Sequence, residues 1–225
     1  MDHHTIDLIV ECMALNKGDS SIQRVQTEHR LKLAEFWGIK KGSRVLEIGC
    51  GQGDTTAVLA YLVGEGGSVH GIDIASPHYG SPISLGTAAD YLKKSTLGKQ
   101  IKIDFETDPL SVNVDFPENS FDYIVLSHCS WYFKSIEELT EVLKKARKWG
   151  KRLCFAEWDS RIETIDQLPH FLTILIQAQY ESFKENSTSN VRTLFTPNQI
   201  KQLVGNTGWN IINEVSIFSN ELQDG

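Results

Sequence analysis

One ten-residue run, Val45-Leu46-Glu47-Ile48-Gly49-Cys50-Gly51-Gln52-Gly53-Asp54, restricts this chain more than any other feature. A short apolar stretch that suits a buried strand carries an acid near its end. Three glycines follow at alternate positions, and an apolar helical pattern opens directly after them. Glycine takes positive φ at no steric cost and lets the backbone pass close to a ligand. A strand that runs through such a turn into a helix is the repeating unit of a parallel sheet.

The rest of the chain keeps that rhythm. Two helical patterns precede the run, roughly Thr5 to Leu15 and Ile22 to Trp37. Gly18-Asp19-Ser20-Ser21 breaks between them and Gly38 stops the second. Strands are expected over 43–48, 68–74, 101–105, 121–126 and 151–156. Helices are expected over 55–63, 87–94 and 136–149. The strands are apolar throughout rather than at every second residue, as in a sheet covered on both faces. The fold class is therefore α/β, a single doubly wound, mostly parallel sheet. A longer helical pattern, Gln167 to Phe183, follows with Leu168, Phe171, Leu172, Leu175, Ile176 and Phe183 on one stripe. It reads either as a cap inserted over the carboxyl ends of the strands or as a plain core helix. Thr196-Pro197 opens a short helix, and a last strand is expected near Asn210 to Phe218. The expected organisation is one domain over 1–225: N-terminal helices 1–40, a core 41–157, a helical cap 158–195, and a C-terminal helix and strand 196–225.

The glycine loop has competing readings. A dinucleotide fingerprint is Gly-x-Gly-x-x-Gly with a pyrophosphate on the helix N-terminus, but here the third glycine comes one residue early. Glu47 and Asp54 flank the loop, and carboxylates repel a pyrophosphate while suiting a cation. On these residues the chain resembles the class I S-adenosylmethionine-dependent methyltransferases, from about Arg44 to Glu157. The resemblance implies that Glu47, Gly49, Cys50, Gly51, Gln52 and Gly53 surround the methionine part of the cofactor. Asp73 and Ile74, in Gly71-Ile72-Asp73-Ile74, match the end of the second strand, where the family acid takes both ribose hydroxyls. One carboxylate with two acceptor oxygens suits two vicinal hydroxyl donors. Asp108 and Pro109, in Thr107-Asp108-Pro109-Leu110, match the position that accepts from the adenine amino group, and Ser127 closes the fourth strand beside the site. Phe116-Pro117-Glu118-Asn119-Ser120-Phe121-Asp122 resembles the stretch leading into that strand. Asp108-Pro109 is also a favoured turn pair, and Cys50 reads as a packing residue rather than a nucleophile.

Methyl transfer from a sulfonium is an in-line displacement, so a base is needed only where the acceptor must lose a proton. His128, in Ser127-His128-Cys129-Ser130-Trp131-Tyr132, is the candidate, with a pocket-shaping role as its rival reading. Trp131, Tyr132, Trp158, His170, Gln177, Tyr180 and Arg192 are expected around a small, partly apolar acceptor, with Arg192 toward an acidic group on it or in a surface ion pair. His29 and Arg30 are expected near the cofactor's carboxylate. The reading is methyl transfer to oxygen or nitrogen of a small molecule. A non-catalytic S-adenosylmethionine-binding module and, further off, an NAD-dependent dehydrogenase remain open.

Other classes recede. The Asn/Asp-Pro-Pro-Tyr motif of base aminomethylases is absent, and no carboxylate cluster near the fourth strand suggests magnesium. His3 and His4 do not make a metal site, so no metal is expected. Lys plus Arg number 22 and Asp plus Glu 29, a net charge of −7 that disfavours nucleic acid. The run Lys144-Lys145-Ala146-Arg147-Lys148 reads as a helix end whose cations suit the macrodipole. The start carries acids where a signal peptide would be basic, and no stretch is long enough for a membrane span. Cys12, Cys50, Cys129 and Cys154 are scattered, and reduced thiols are the simpler reading. A cytoplasmic protein without membrane partners is expected, and a homodimer is left open. Family members finish with an antiparallel pair of strands, whereas one is expected here, so the far sheet edge is in doubt.

Overall fold

A computed structural model describes residues 3–15, 20–185, 187, 189, 191–219 and 221–222. The turn expected at Gly18-Asp19 lies outside the described residues. Two helices, α1 (His3–Val10) and α2 (Ser21–Trp37), lead into β1 (Arg44–Ile48), and α3 (Asp54–Val63) follows the glycine loop. Then come β2 (Ser68–Ile72), α4 (Leu85–Lys94), β3 (Ile101–Asp104), β4 (Phe121–Ser127), α5 (Ile136–Trp149) and β5 (Gly150–Ala156). Two more helices, α6 (Leu168–Glu181) and α7 (Pro197–Asn206), complete the order.

The five strands form one sheet in the order β3-β2-β1-β4-β5, with every pairing parallel. The expected doubly wound α/β class is what the chain adopts. Register explains why the strands are apolar at successive positions. Val45 lies opposite Val69 and Tyr123, and these side chains join Val125, Cys154, Leu31, Val58 and Leu59 on one face. Leu46 lies opposite Ile124, and with Ile48 and Leu126 these pack under α5 and α7 on the other face. Helices on both faces leave no solvated side for polar residues to alternate into.

α5 shows how local chemistry places a helix. Ser135 accepts from the Glu138 backbone N–H, Glu137 and Glu138 occupy the first turn, and Arg147 and Lys148 the last. The basic run is consumed structurally. Lys145 donates to the carbonyls of Ser111 and Val114, Lys148 pairs with Asp115 at 2.8 Å, and Arg147 donates to the Gly208 carbonyl. Trp149, fully buried, donates from Nε1 to Asp115 Oδ1 at 2.7 Å and meets Phe116 edge to face. We expect Trp149→Ala to lower the unfolding free energy by about 3–5 kcal/mol in urea denaturation, because it removes a fully buried indole and leaves a cavity.

The strand expected at Asn210 to Phe218 does not form. Residues 210–219 have no ladder partner, and Ile212 and Phe218 are exposed. Extended residues become a strand only against a hydrogen-bonding neighbour. Trp209 Nε1 is tied to the Leu143 carbonyl, and Lys201 of α7 holds Glu214 at 2.6 Å, so the segment follows the helices rather than β5. The helix over 168–181 is mostly exposed: only Ile174 and Glu181 in it are buried, and Phe171 and Ala178 pack beside Ile174 on the cluster under α5 and α7. Its expected stripe is largely turned outward, with Leu172, Leu175, Ile176 and Phe183 exposed. Among the described residues no helix is long and apolar enough to cross a membrane.

Candidate functional site

The glycine loop stands at the carboxyl end of β1, where backbone groups are free of the sheet ladder. The N–H groups of Gly49 and Cys50 both donate to the Ile72 carbonyl, at 2.9 and 3.2 Å, closing the loop against the end of β2. Gly49 has φ +78°, and a Cβ there would stand 2.8 Å from Cys129 Cβ, so only glycine fits. Asp73 then laces the loop to the next turn. Its Oδ2 accepts from Gly51 N–H at 2.8 Å and its Oδ1 from Ala75 N–H at 2.9 Å. Thr107 N–H donates to the Asp73 carbonyl, bringing the segment after β3 alongside.

Electrostatics give this corner its character. Glu47 is buried, with Thr56 Oγ1 donating to its Oε2 at 2.5 Å. Burial pushes its carboxyl up to about 8, helped by Asp54 and Asp73 and opposed by the Thr56 hydrogen bond and Arg30. Arg30 lies 3.5 Å from Asp54, and its Nε is buried without a partner. Three acids against one arginine make a seat for a cation and a poor one for pyrophosphate. Burial also pushes the Cys50 thiol far up, which leaves it an inert packing group, as its sequence context suggests. Gln52 donates to the Ile83 carbonyl, Pro109 is buried, and Ser127 Oγ is buried without a partner. Ile74 is exposed. Asp108 Oδ1 accepts from Leu110 N–H at 2.8 Å, the turn bond that an Asp-Pro pair favours.

A second cluster lies at the ends of β4 and β5. His128 takes φ +52°, a left-handed conformation that costs a residue with a Cβ roughly 1–2 kcal/mol. Its backbone N–H is held by the Ala156 carbonyl at 2.9 Å. Both ring nitrogens are buried without a hydrogen-bond partner, and Nδ1 lies 3.8 Å from Glu157 Oε1. Glu157 is fixed in turn: Oε2 accepts from Ser130 N–H and Oγ, and Oε1 from Trp158 N–H. The Trp158 ring sits 4.5 Å from that of His128 and 6.0 Å from that of His170. His29 arrives from α2, 5.4 Å from His128 and nearly parallel to Trp158. Burial pushes its imidazole down to about 4, the nearby His128 adding to the effect.

The gathering differs from expectation in four places. His29 belongs with His128 and Trp158, while only Arg30 stays over the glycine loop. Trp131 is a core residue whose Nε1 donates to the Phe195 carbonyl. Tyr180 is 64% exposed with Lys184 over its ring, because it falls on the outer side of α6, and Tyr132 is also exposed. Arg192 is held by its backbone N–H on the Trp131 carbonyl, its Nε buried without a partner and its charge acting on Glu181. Glu157 belongs to this cluster although the motifs do not single it out. Its signal was its place, directly after β5 at the carboxyl edge where α/β sheets bind ligands. Among the described residues no group of three or more His, Cys, Asp or Glu is placed to hold a metal ion.

The family described as "Methyltransferase domain" matches residues 22–214. A crystal structure of a cyclopropane-fatty-acyl-phospholipid synthase-like protein from Lactobacillus casei ATCC 334 superposes with a TM-score of 0.86 at 38% identity, covering 92% of this chain and 77% of that one. Methyltransferase phomM' of Diaporthe leptostromiformis is 32% identical over 140 residues, covering 54% of this chain and 36% of its own. Demethylmenaquinone methyltransferase of Geobacillus sp. (strain WCH70) is 28% identical over 137 residues, covering 59% of this chain and 53% of its own. The matched stretches thus span between about a third and a half of these two curated relatives.

Proposed function

The chain belongs to the methyltransferase-domain family, the class I S-adenosylmethionine-dependent enzymes, and from that premise we propose that it methylates oxygen or nitrogen of a small-molecule acceptor. S-adenosylmethionine, when bound, supplies a methyl group on a sulfonium sulfur that leaves as a neutral thioether. The glycine loop fits that group because it sets a buried carboxyl beside backbone that only glycine can shape. Glu47 then receives the ammonium. Asp73, whose oxygens each hold one backbone donor and retain acceptor capacity, receives the ribose hydroxyls. Asp108 faces the adenine, with Cys50, Gln52, Ile74, Pro109 and Ser127 around the cofactor.

The observation that carries the acceptor assignment is the His128 ring, buried with both nitrogens unpartnered and Glu157 3.8 Å from one of them. His128 takes the acceptor proton at Nε2 as the new bond to the methyl carbon forms. Glu157 then stabilises the imidazolium at Nδ1, as an acid held by three donors can do without moving. Trp158 lies against the His128 ring and His29 stacks nearly parallel to Trp158, which limits the access of water to His128. The net charge of −7 supports a small molecule over nucleic acid.

The test uses methyl-labelled S-adenosylmethionine with a panel of phenols, carboxylic acids and primary amines, the product located by mass spectrometry. His128→Gln should lower kcat by about 10²–10⁴-fold with cofactor affinity unchanged. Methyl appearing on carbon of an apolar acceptor, or an unaltered kcat in the variant, would sink the assignment.

A further inference from the structure

His128 is set to meet an acceptor, yet both its ring nitrogens are buried, as is Nε2 of His29, whose ring lies 5.4 Å away. Trp158 lies against it on another side at 4.5 Å. A group so enclosed meets a ligand only after one of its walls moves, and the wall with the fewest tethers moves most readily. The stretch 210–219 is such a wall. Among the described residues, the backbone of 210–218 makes no hydrogen bond to other backbone. Only Ile217 and Ser219 in it are half-buried, and its other residues are exposed.

Two side-chain contacts place this stretch beside both the Trp158 and the His29 sides of the chamber. Lys201 holds Glu214 at 2.6 Å, and their charges act on Asp159 and Arg161, just beyond Trp158. Ser219 Oγ lies 3.0 Å from His29 Nδ1, a hydrogen bond across 190 positions of chain. The seat is not close-packed: a cavity of about 270 Å³, lined by Val25, Glu28, Lys32, Ser219 and Glu221, remains where the chain meets α2. We propose that residues 210–219 form a strap that closes the acceptor chamber and lifts to admit the acceptor, with Ser219 as its latch on His29. The competing mover is α6. Phe171, Ile174 and Ala178 pack on the cluster beneath that helix, so lifting it would expose apolar surface. The strap gives up one hydrogen bond, one ion pair near the surface and the half-buried Ile217.

The strap's role rests on this chamber being the acceptor site, but its opening can be read without an acceptor. Diethyl pyrocarbonate modifies accessible imidazoles, and peptide mass spectrometry follows each histidine of the whole chain separately. In wild type His128 should react far more slowly than the exposed His78. Ser219→Ala should speed His128 by about two- to tenfold, the factor that one hydrogen bond is worth. Glu214→Lys should speed it too, by setting two cations together, and adding Lys201→Glu should slow it again. His70, held in the sheet by Asp104 at 2.8 Å, should keep its rate in every variant, because lifting a strap is not unfolding. A barren acceptor panel bears on the chemistry at His128 and leaves these rates as they are. A wild-type His128 as fast as His78, a His128 indifferent to both Ser219→Ala and Glu214→Lys, or a His70 that rises in step with His128 would each overturn the proposal.

Discussion

Asp73→Ala should cost at least about a hundredfold in affinity for S-adenosylmethionine and for S-adenosylhomocysteine, read by calorimetric titration. Two losses combine. Each ribose hydroxyl would give up a hydrogen bond to a charged acceptor, worth about 1.5–3 kcal/mol. The carboxylate also holds Gly51 N–H and Ala75 N–H, so its removal slackens the glycine loop it laces to the turn after β2. Asp73→Asn separates the effects, because an amide keeps one acceptor oxygen for a backbone donor while losing the charge. Its affinity should fall between the other two. NADH should bind none of the three proteins. Wild-type affinity in the alanine variant would remove Asp73 from the cofactor site, and tight NADH binding would return the loop to the dinucleotide reading.

Affinity for S-adenosylmethionine should climb by up to about tenfold per pH unit between roughly pH 5.5 and 7.5, and the slope should vanish in Glu47→Gln. In the folded, ligand-free protein burial pushes Glu47 up to about 8, against an ordinary value of 4.5. Through that interval the empty site holds a proton that an ammonium ligand must displace, so binding releases it and improves as pH rises. Above about 8 the carboxyl is already ionised, and the ligand's own amino group, ordinarily near 7.7–8.0, begins to lose its charge. The proton release is measured directly by titration in two buffers of unlike ionisation enthalpy. Folding has the matching sign. Between pH 4.5 and about 8 the folded chain binds the extra proton, so Glu47 lowers stability as pH rises through that window, and Glu47→Gln should flatten the loss. Binding without proton release would mean that Glu47 does not meet the ammonium.

Much of this protein was legible before any coordinates. The alternation from β1 to β5 follows from apolar runs punctuated by Gly49, Gly64 and Gly150, and both faces of the sheet are buried as continuous apolarity requires. The glycine loop and its acids stand where spacing put them. Ser135 and the cations at the end of α5 explain that helix from neighbours in sequence alone. Turn chemistry, capping and periodicity are interactions over a few residues, so a single sequence displays them.

The tertiary structure decided what depends on distant partners. Asn210 to Phe218 has the composition of a strand, yet the backbone groups it would need are not beside it, and Trp209 and Glu214 bind it to helices instead. Periodicity told that α6 has an apolar stripe but not which way it points. Phe171 and Ile174 won the inward side because the cluster beneath them accepts that face, and Leu172, Ile176 and Phe183 were left outside. His29 meets His128 across 99 positions of chain, which no local pattern encodes. The protonation of Glu47 is likewise beyond the sequence, since it is set by the water excluded from around it, a sum over every element that packs there.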